Sequence, residues 1–115
     1  MLELCHRKLK YGCYIIVETV NPLSFFSFAN FFIDLTHKRP MHPQTLHFLL
    51  SSSGFRDIEV KYLAPVPEES RLQPLPVPEA PEEGSRIPTE IYNRNIGLLN
   101  TILFGPQDYA IVGKK

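Results

Sequence analysis

The sequence predicts an α/β fold: three strands with flanking helices that read as part of a larger sheet. Three observations carry that expectation. Helical and extended patterns alternate along the chain. The segment Cys13 to Val20 is apolar on both of its alternating faces, the pattern of a strand covered on both sides. And 115 residues, with 11 prolines among them, leave only three strands and about three helices to do the covering.

The elements follow in order. Leu2 to Leu9 reads as the end of a helix: Leu2, Cys5 and Leu9 recur at helical spacing, and Glu3, Arg7, Lys8 and Lys10 fall on the other side. Its basic residues sit in the last turns, where the helix dipole favours them, and Gly12 suits a stop or tight turn. In the strand Cys13 to Val20, one face carries Cys13, Ile15, Val17 and Thr19, and the other Tyr14, Ile16, Glu18 and Val20. Asn21-Pro22 ends it, because proline cannot extend a ladder. A long aromatic connection follows.

Pro43 to Ser53 reads as a second helix, with proline in its first turn, Leu46, Leu49 and Leu50 as its apolar stripe and Gly54 as a left-handed cap. Asp57 to Leu63 is the second strand, Ile58, Val60 and Tyr62 alternating with Asp57, Glu59 and Lys61. Residues 65–88 hold seven of the 11 prolines and five glutamates, so extended polyproline-like or disordered chain is expected there, as a lid, a proline-motif partner site or a tolerated insertion. Thr89 to Phe104 is the third helix, capped by Thr89, with a stripe of Tyr92, Ile96, Leu99 and Leu103. Gly105-Pro106 stops it, and Asp108 to Gly113 is a last short strand.

Composition excludes several functions. Lys+Arg and Asp+Glu are 12 each, so the bulk positive charge of a nucleic-acid binder is absent. Two cysteines cannot frame a disulfide scaffold. No signal peptide is evident, and the apolar run from Leu23 to Ile33 is far shorter than the ~20 residues of a membrane span. A cytoplasmic protein with reduced thiols is expected. His37, His42 and His47 recur every five residues, which does not align them on one helical face, so no metal site is expected.

An apolar strand in a chain that cannot flank it invites pairing with another chain. Either a partner completes the sheet or the chain self-associates through its first strand.

Three short motifs narrow this further. The first strand ends in Glu18-Thr19-Val20-Asn21-Pro22; an aromatic stretch leads to Asp34-Leu35-Thr36-His37 with Pro40 nearby; and a helix closes on Gly54-Phe55. This series resembles the C-terminal half of class I S-adenosylmethionine-dependent methyltransferases, in particular the bacterial group found with glycan and polysaccharide assembly. The resemblance runs from Leu2 to about Leu63 and returns at Asp108 to Val112. It implies a partial Rossmann-like sheet of strands five, six and seven, the last strand antiparallel and inserted between the other two. It further implies methyl transfer from S-adenosylmethionine to an oxygen of a glycan or related metabolite.

The family's glycine-rich loop and ribose-binding acidic residue precede the matching region. The six glycines here never form Gly-x-Gly. This chain alone is therefore not expected to bind the cofactor. Met1 falls within the helix that would precede strand five, as in a truncated frame, one half of a split enzyme or a boundary imposed on the sequence.

Ligands of open α/β sheets bind beyond the carboxyl ends of the parallel strands, so Asn21 to Pro40 would face the acceptor. His37 is the candidate base, since imidazole accepts protons near neutrality, and Asp34 three residues earlier would orient it. The alternative is a structural histidine hydrogen-bonded within its loop. Glu18, Asn21, Phe31, Lys38 and Arg39 are candidate acceptor contacts: a carboxylate at the cleft lip, a turn amide, an aromatic wall, and two cations for an anionic acceptor such as a sugar phosphate. The rival function is a noncatalytic interaction module, or an inactive remnant, that pairs through an exposed strand edge.

Overall fold

The structure, a computed structural model, describes residues 1–77, 79 and 86–115, and for residue 86 the backbone alone. Its elements are helix α1 (Leu2–Lys8), strand β1 (Tyr14–Val20), helix α2 (Phe25–Phe31), helix α3 (Pro43–Ser52), strand β2 (Arg56–Leu63), a single 3₁₀ turn (Glu68–Ser70), helix α4 (Arg86–Leu103) and strand β3 (Asp108–Lys114).

The three strands form one open sheet in the order β1-β3-β2. β3 is antiparallel to both neighbours, so β1 and β2 run in the same direction on either side of it. Val20 and Leu63, at the carboxyl ends of β1 and β2, both stand opposite Asp108. This is the inserted, antiparallel last strand that the sequence led us to expect. β2 carries a bulge between Arg56 and Glu59, where Asp57 takes a positive φ of 50°.

One face of the sheet makes the core. Tyr109 and Ile111 of β3 are fully buried against Leu46 and Leu50 of α3 and against Phe55, and Leu2, Cys5, Leu9, Ile15, Val17, Ile58 and Val60 pack around them. Burying each large aliphatic side chain here contributes about 1.5–3 kcal/mol. α3 is set on this face by its ends. The His42 Nδ1 accepts from the Gln44 N–H at the N-terminus, and Pro43 occupies the first turn. At the other end the Gly54 N–H donates to the Ser51 carbonyl and the Phe55 N–H to the Leu50 carbonyl, a Schellman closure that drops Phe55 into the core beside Leu50. Gly54 has φ of 99°, and a Cβ there would stand 3.0 Å from the His6 imidazole, itself edge-on to Phe55.

The opposite face is open within this chain. Ile16 is 68% exposed, Tyr14 and Glu18 are also exposed, and β1 is an edge strand. The strand patterned for cover on both sides is therefore covered on one.

Two elements depart from the sequence reading. α2 lies in what reads as irregular aromatic connection. Its apolar run FFSFANF has no polar face to mark a period, and aromatic residues are indifferent helix formers. The helix is decided by packing: Ser24, Ser27 and Phe31 are buried and Phe26 meets Phe104 at 6.3 Å. α4 starts three residues earlier than Thr89, taking Pro88 into its first turn, which proline tolerates. Its stripe does not pack on the sheet. Tyr92 and Leu99 are exposed, and α4 leans on α2 and on the proline-rich segment.

That segment is not loose where it is described. Residues 71–77 run extended and antiparallel to α4, clamped by two asparagines. The Leu72 N–H donates to Asn100 Oδ1 and the Asn100 amide returns a bond to the Leu72 carbonyl; Leu75 and Asn93 repeat the exchange. The spacing fits. Three polyproline-type residues advance ~9.3 Å and seven helical residues ~10.5 Å, so the rungs stay nearly in step. Residues 78 and 80–85 of the proline-rich stretch lie outside the described residues.

The result is elongated, 65 × 32 × 19 Å with a radius of gyration of 19.6 Å. A compact domain of this length would have about 13 Å.

Candidate functional site

The carboxyl ends of β1 and β2 gather the loops. Asn21, directly after β1, is 2% exposed. Its amide donates to the Pro106 carbonyl at 2.9 Å and its Oδ1 accepts from the Leu23 N–H, an Asx turn that redirects the chain into α2. Both ends of the Asn21 carboxamide are thus used in shaping the turn. α2 then carries the chain outward to the segment holding Asp34 and His37.

His37 is the best-defined side chain of that segment. Its ring stacks on Phe31 with centroids 4.7 Å apart and planes 17° from parallel. Nδ1 lies 3.1 Å from the Phe31 carbonyl. A carbonyl oxygen only accepts, so this contact places the proton of the neutral ring on Nδ1 and leaves the Nε2 lone pair available. Nε2 is 3.7 Å from Asp34 Oδ2, and the ring is 38% exposed. A group in this state can take a proton at Nε2, and the cation so formed faces a carboxylate.

Asp34 is held in turn by Thr36, whose backbone N–H and hydroxyl both donate to Oδ1, at 2.8 and 2.7 Å. These two bonds, with a smaller contribution from His37, keep the Asp34 carboxyl below its ordinary value of 3.8. Asp34 thus presents a carboxylate oxygen, Oδ2, towards the His37 Nε2. The sequence pairs Asp34 with His37; it does not single out Thr36, whose role needs the turn geometry.

The other candidates stand as follows. Phe31 is buried at 4% and serves as the platform beneath His37. Lys38 and Arg39 are exposed and follow His37 directly. Glu18 is exposed on the open face of β1, level with Ala110. Phe28 and Phe32 pack edge-on to one another at 5.3 Å, and Phe25 and Phe32 are largely exposed. Beyond Arg39, the Tyr109 hydroxyl donates to the Met41 carbonyl at 2.7 Å and ties the end of this loop to the core. Burial raises the Tyr109 phenol to about 12, so it stays a neutral donor.

A cleft of about 350 Å³ between α3 and β2, lined by Pro43, Gln44, His47, Val60 and Tyr62, does not include His37. Among the described residues no three His, Cys, Asp or Glu side chains are grouped to hold a metal ion.

The described residues also do not form a nucleotide-type cradle. Such a site needs glycines in a turn from a parallel strand into a helix. β1 ends in Asn21-Pro22 and β2 in Ala64-Pro65. Of the described glycines, Gly12 precedes β1, Gly54 abuts His6, Gly97 lies within α4, Gly105 meets the Thr101 carbonyl and Gly113 packs on Phe55. Among the described residues no glycine lies in a turn from a parallel strand into a helix, as such a cradle for S-adenosylmethionine would need.

The open three-stranded sheet with flanking helices is consistent with part of a Rossmann-like methyltransferase sheet. The chain is similar to a SAM-dependent methyltransferase from Archaeoglobus fulgidus, with 46% identity and a TM-score of 0.87 over 99% of its length. It spans 50% of that protein's chain. No protein-family model matches the chain, and no curated protein does.

Proposed function

We propose that this chain is the acceptor-side half of a SAM-dependent methyltransferase, the C-terminal half in the order of the fold, and that the whole enzyme methylates an oxygen of a glycan or related metabolite. The observation that carries this reading is the 46% identity along nearly the entire chain to half of a methyltransferase. The cofactor belongs to residues outside this sequence, supplied by another chain or by a longer one, and the free edge of β1 with exposed Ile16 is where that half would join. S-adenosylmethionine supplies the methyl group.

His37 acts on the acceptor. With its proton on Nδ1 and Phe31 beneath it, Nε2 accepts the hydroxyl proton, and Asp34 stabilises the imidazolium. Lys38, Arg39 and Glu18 contact the acceptor, Phe31 fixes the base, and Asn21 shapes the entry of the loop. Among the described residues no helix is long and apolar enough to cross a membrane; a cytoplasmic location fits the two unpaired cysteines.

The test mixes this chain with a Gly-x-Gly-containing methyltransferase first half and follows methyl transfer to an oligosaccharide. Activity in the mixture, absent from either part, supports the reading, and His37→Ala should lower it at least a hundredfold. Equal activity of His37→Ala would remove His37 from the mechanism.

The exposed strand edge also favours a second reading, a noncatalytic module that pairs through β1. Stable assembly with a complete methyltransferase, with no gain of activity, would select it.

A further inference from the structure

We infer that helix α4 is a self-association surface, pairing antiparallel with α4 of a second copy of this chain about a two-fold axis at Asn95. The helix belongs to an arm. Residues 64–107 leave β2 and re-enter β3 at one place, where Leu63 pairs with Asp108 and the Gln107 N–H donates to the Ala64 carbonyl. Within the arm α4 packs on α2 and on segment 71–77 rather than on the sheet, and the molecule is 65 Å long.

The covered side of α4 is one row: Thr89, Asn93, Ile96, Asn100 and Leu103. Beside that row runs a broad apolar stripe of Ile87, Ile91, Tyr92, Leu98, Leu99 and Ile102, each between 43 and 63% exposed. At 100° per residue, Asn95 lies in the middle of this stripe. Taking ~200 Å² for a large side chain fully exposed, the stripe offers roughly 600 Å² per copy. Two copies would then bury about 1,200 Å², the lower end of what a stable interface needs. The chain's formal net charge is zero, so no charge repulsion opposes the approach of a second copy.

The shape of the stripe says what fits it. A hollow of about 370 Å³ is lined by Asn95, Leu98, Leu99 and Ile102. These are positions i, i+3, i+4 and i+7, the four residues that make a hole for one side chain of a facing helix. The stripe also supplies the matching knob, because it reads nearly the same in both directions from Asn95. With the axis there, Ile91 stands level with Leu99 of the second copy and Tyr92 with its Leu98, while Ile102 falls level with its Pro88, beside Ile87. The middle of each hollow, between Leu98 and Leu99, thus faces Ile91 and Tyr92 of the other copy. This is the self-complementarity that a two-fold interface requires. Asn95 meets its own counterpart on the axis, where each carboxamide donates to the other and accepts from it. One polar residue in an apolar seam fixes register at a cost in affinity.

The experiment uses the full chain without methyl donor, and the inference is independent of the methyltransferase reading. Sedimentation equilibrium should show a monomer–dimer exchange with a dissociation constant on the order of 10 μM. Leu98→Glu should weaken the dimer at least tenfold, and Asn95→Leu should tighten it. Both sites are exposed, and unchanged circular dichroism checks the fold. Orientation is read from nitroxides placed by Arg94→Cys or Thr101→Cys in a Cys5→Ala, Cys13→Ser chain. An antiparallel pair separates the two labels ~15 Å further along the axis at position 101 than at 94, whereas a parallel pair gives equal distances and overturns the assignment. A wild-type chain that stays monomeric at about 1 mM overturns it without recourse to any variant. So does a dimer that Ile16→Glu dissolves and Leu98→Glu leaves intact, since its interface is the β1 edge. If Leu98→Glu instead blocks binding of a Gly-x-Gly-containing methyltransferase first half, the stripe belongs to that half and the proposal also fails.

Discussion

The His37 imidazole lies flat on the Phe31 ring, centroids 4.7 Å apart, while its Nδ1 reaches back to the carbonyl of the same residue at 3.1 Å. One buried phenylalanine thereby sets both the plane and the tautomer of the exposed histidine. Sequence spacing alone draws the eye to Asp34, three residues before His37, as the orienting partner. The geometry divides the work differently: Phe31 orients the ring, and Asp34, at 3.7 Å, faces the nitrogen that remains free.

Phe31→Leu tests that division. The substitution keeps an apolar side chain in the buried site and removes the stacking surface, so stability should fall by about 1 kcal/mol. The Nδ1–H of His37 should exchange faster with solvent, measured by NMR. Retained slow exchange would show that the carbonyl alone holds the ring.

Thr36→Val removes the hydroxyl bond to Asp34 and leaves the backbone bond in place. The Asp34 carboxyl should move up towards 3.8, followed through its side-chain carbon resonance against pH. The sign is fixed by the linkage: a carboxyl depressed in the folded state contributes stability above its unfolded value, and that contribution fades as pH falls through the folded value. The variant should therefore lose less stability on acidification than the wild type.

Tyr109 makes the opposite prediction at the alkaline end. The folded phenol ionises at about 12 and an unfolded one near 10.0, so the folded chain keeps a proton that the unfolded chain has lost between those values. Stability should fall by about 2–3 kcal/mol as pH rises through that window. Tyr109→Phe should flatten this loss, at a neutral-pH cost of about 1 kcal/mol for the missing bond to the Met41 carbonyl. Urea titrations at pH 7, 10 and 12 measure both.

The asparagine clamp is open to a residue-level test. Asn100→Ala removes two bonds from a residue only 7% exposed and should cost about 1–3 kcal/mol, and Asn93→Ala, at the more exposed rung, should cost less. Hydrogen exchange at the Leu72 and Leu75 amides should quicken in the matching variant. Exchange unchanged in both would mean that packing, not the ladder, holds the segment to α4.

Much of the molecule was legible in the residues themselves. β1, α3, β2 and β3 announce themselves by period and by punctuation such as Asn21-Pro22, Pro43 and Gly54. Those are local effects: a ring that fixes φ, a residue without a Cβ, an alternation that one sheet face can bury. The same local reading paired Asp34 with His37, and the structure brings them within 3.7 Å.

Tertiary structure alone decided the rest. α2 is a helix because Ser24, Ser27 and Phe31 find cover, a condition that the mostly apolar run Phe25–Phe31 does not record as a period. The segment 71–77 is held because Asn93 and Asn100, seven residues apart on one helix, fall opposite carbonyls three residues apart on an extended strand. Sequence determines which local geometry each stretch prefers. The meeting of distant groups depends on where the rest of the chain spends its own hydrogen bonds and apolar surface, and that is a property of the whole fold.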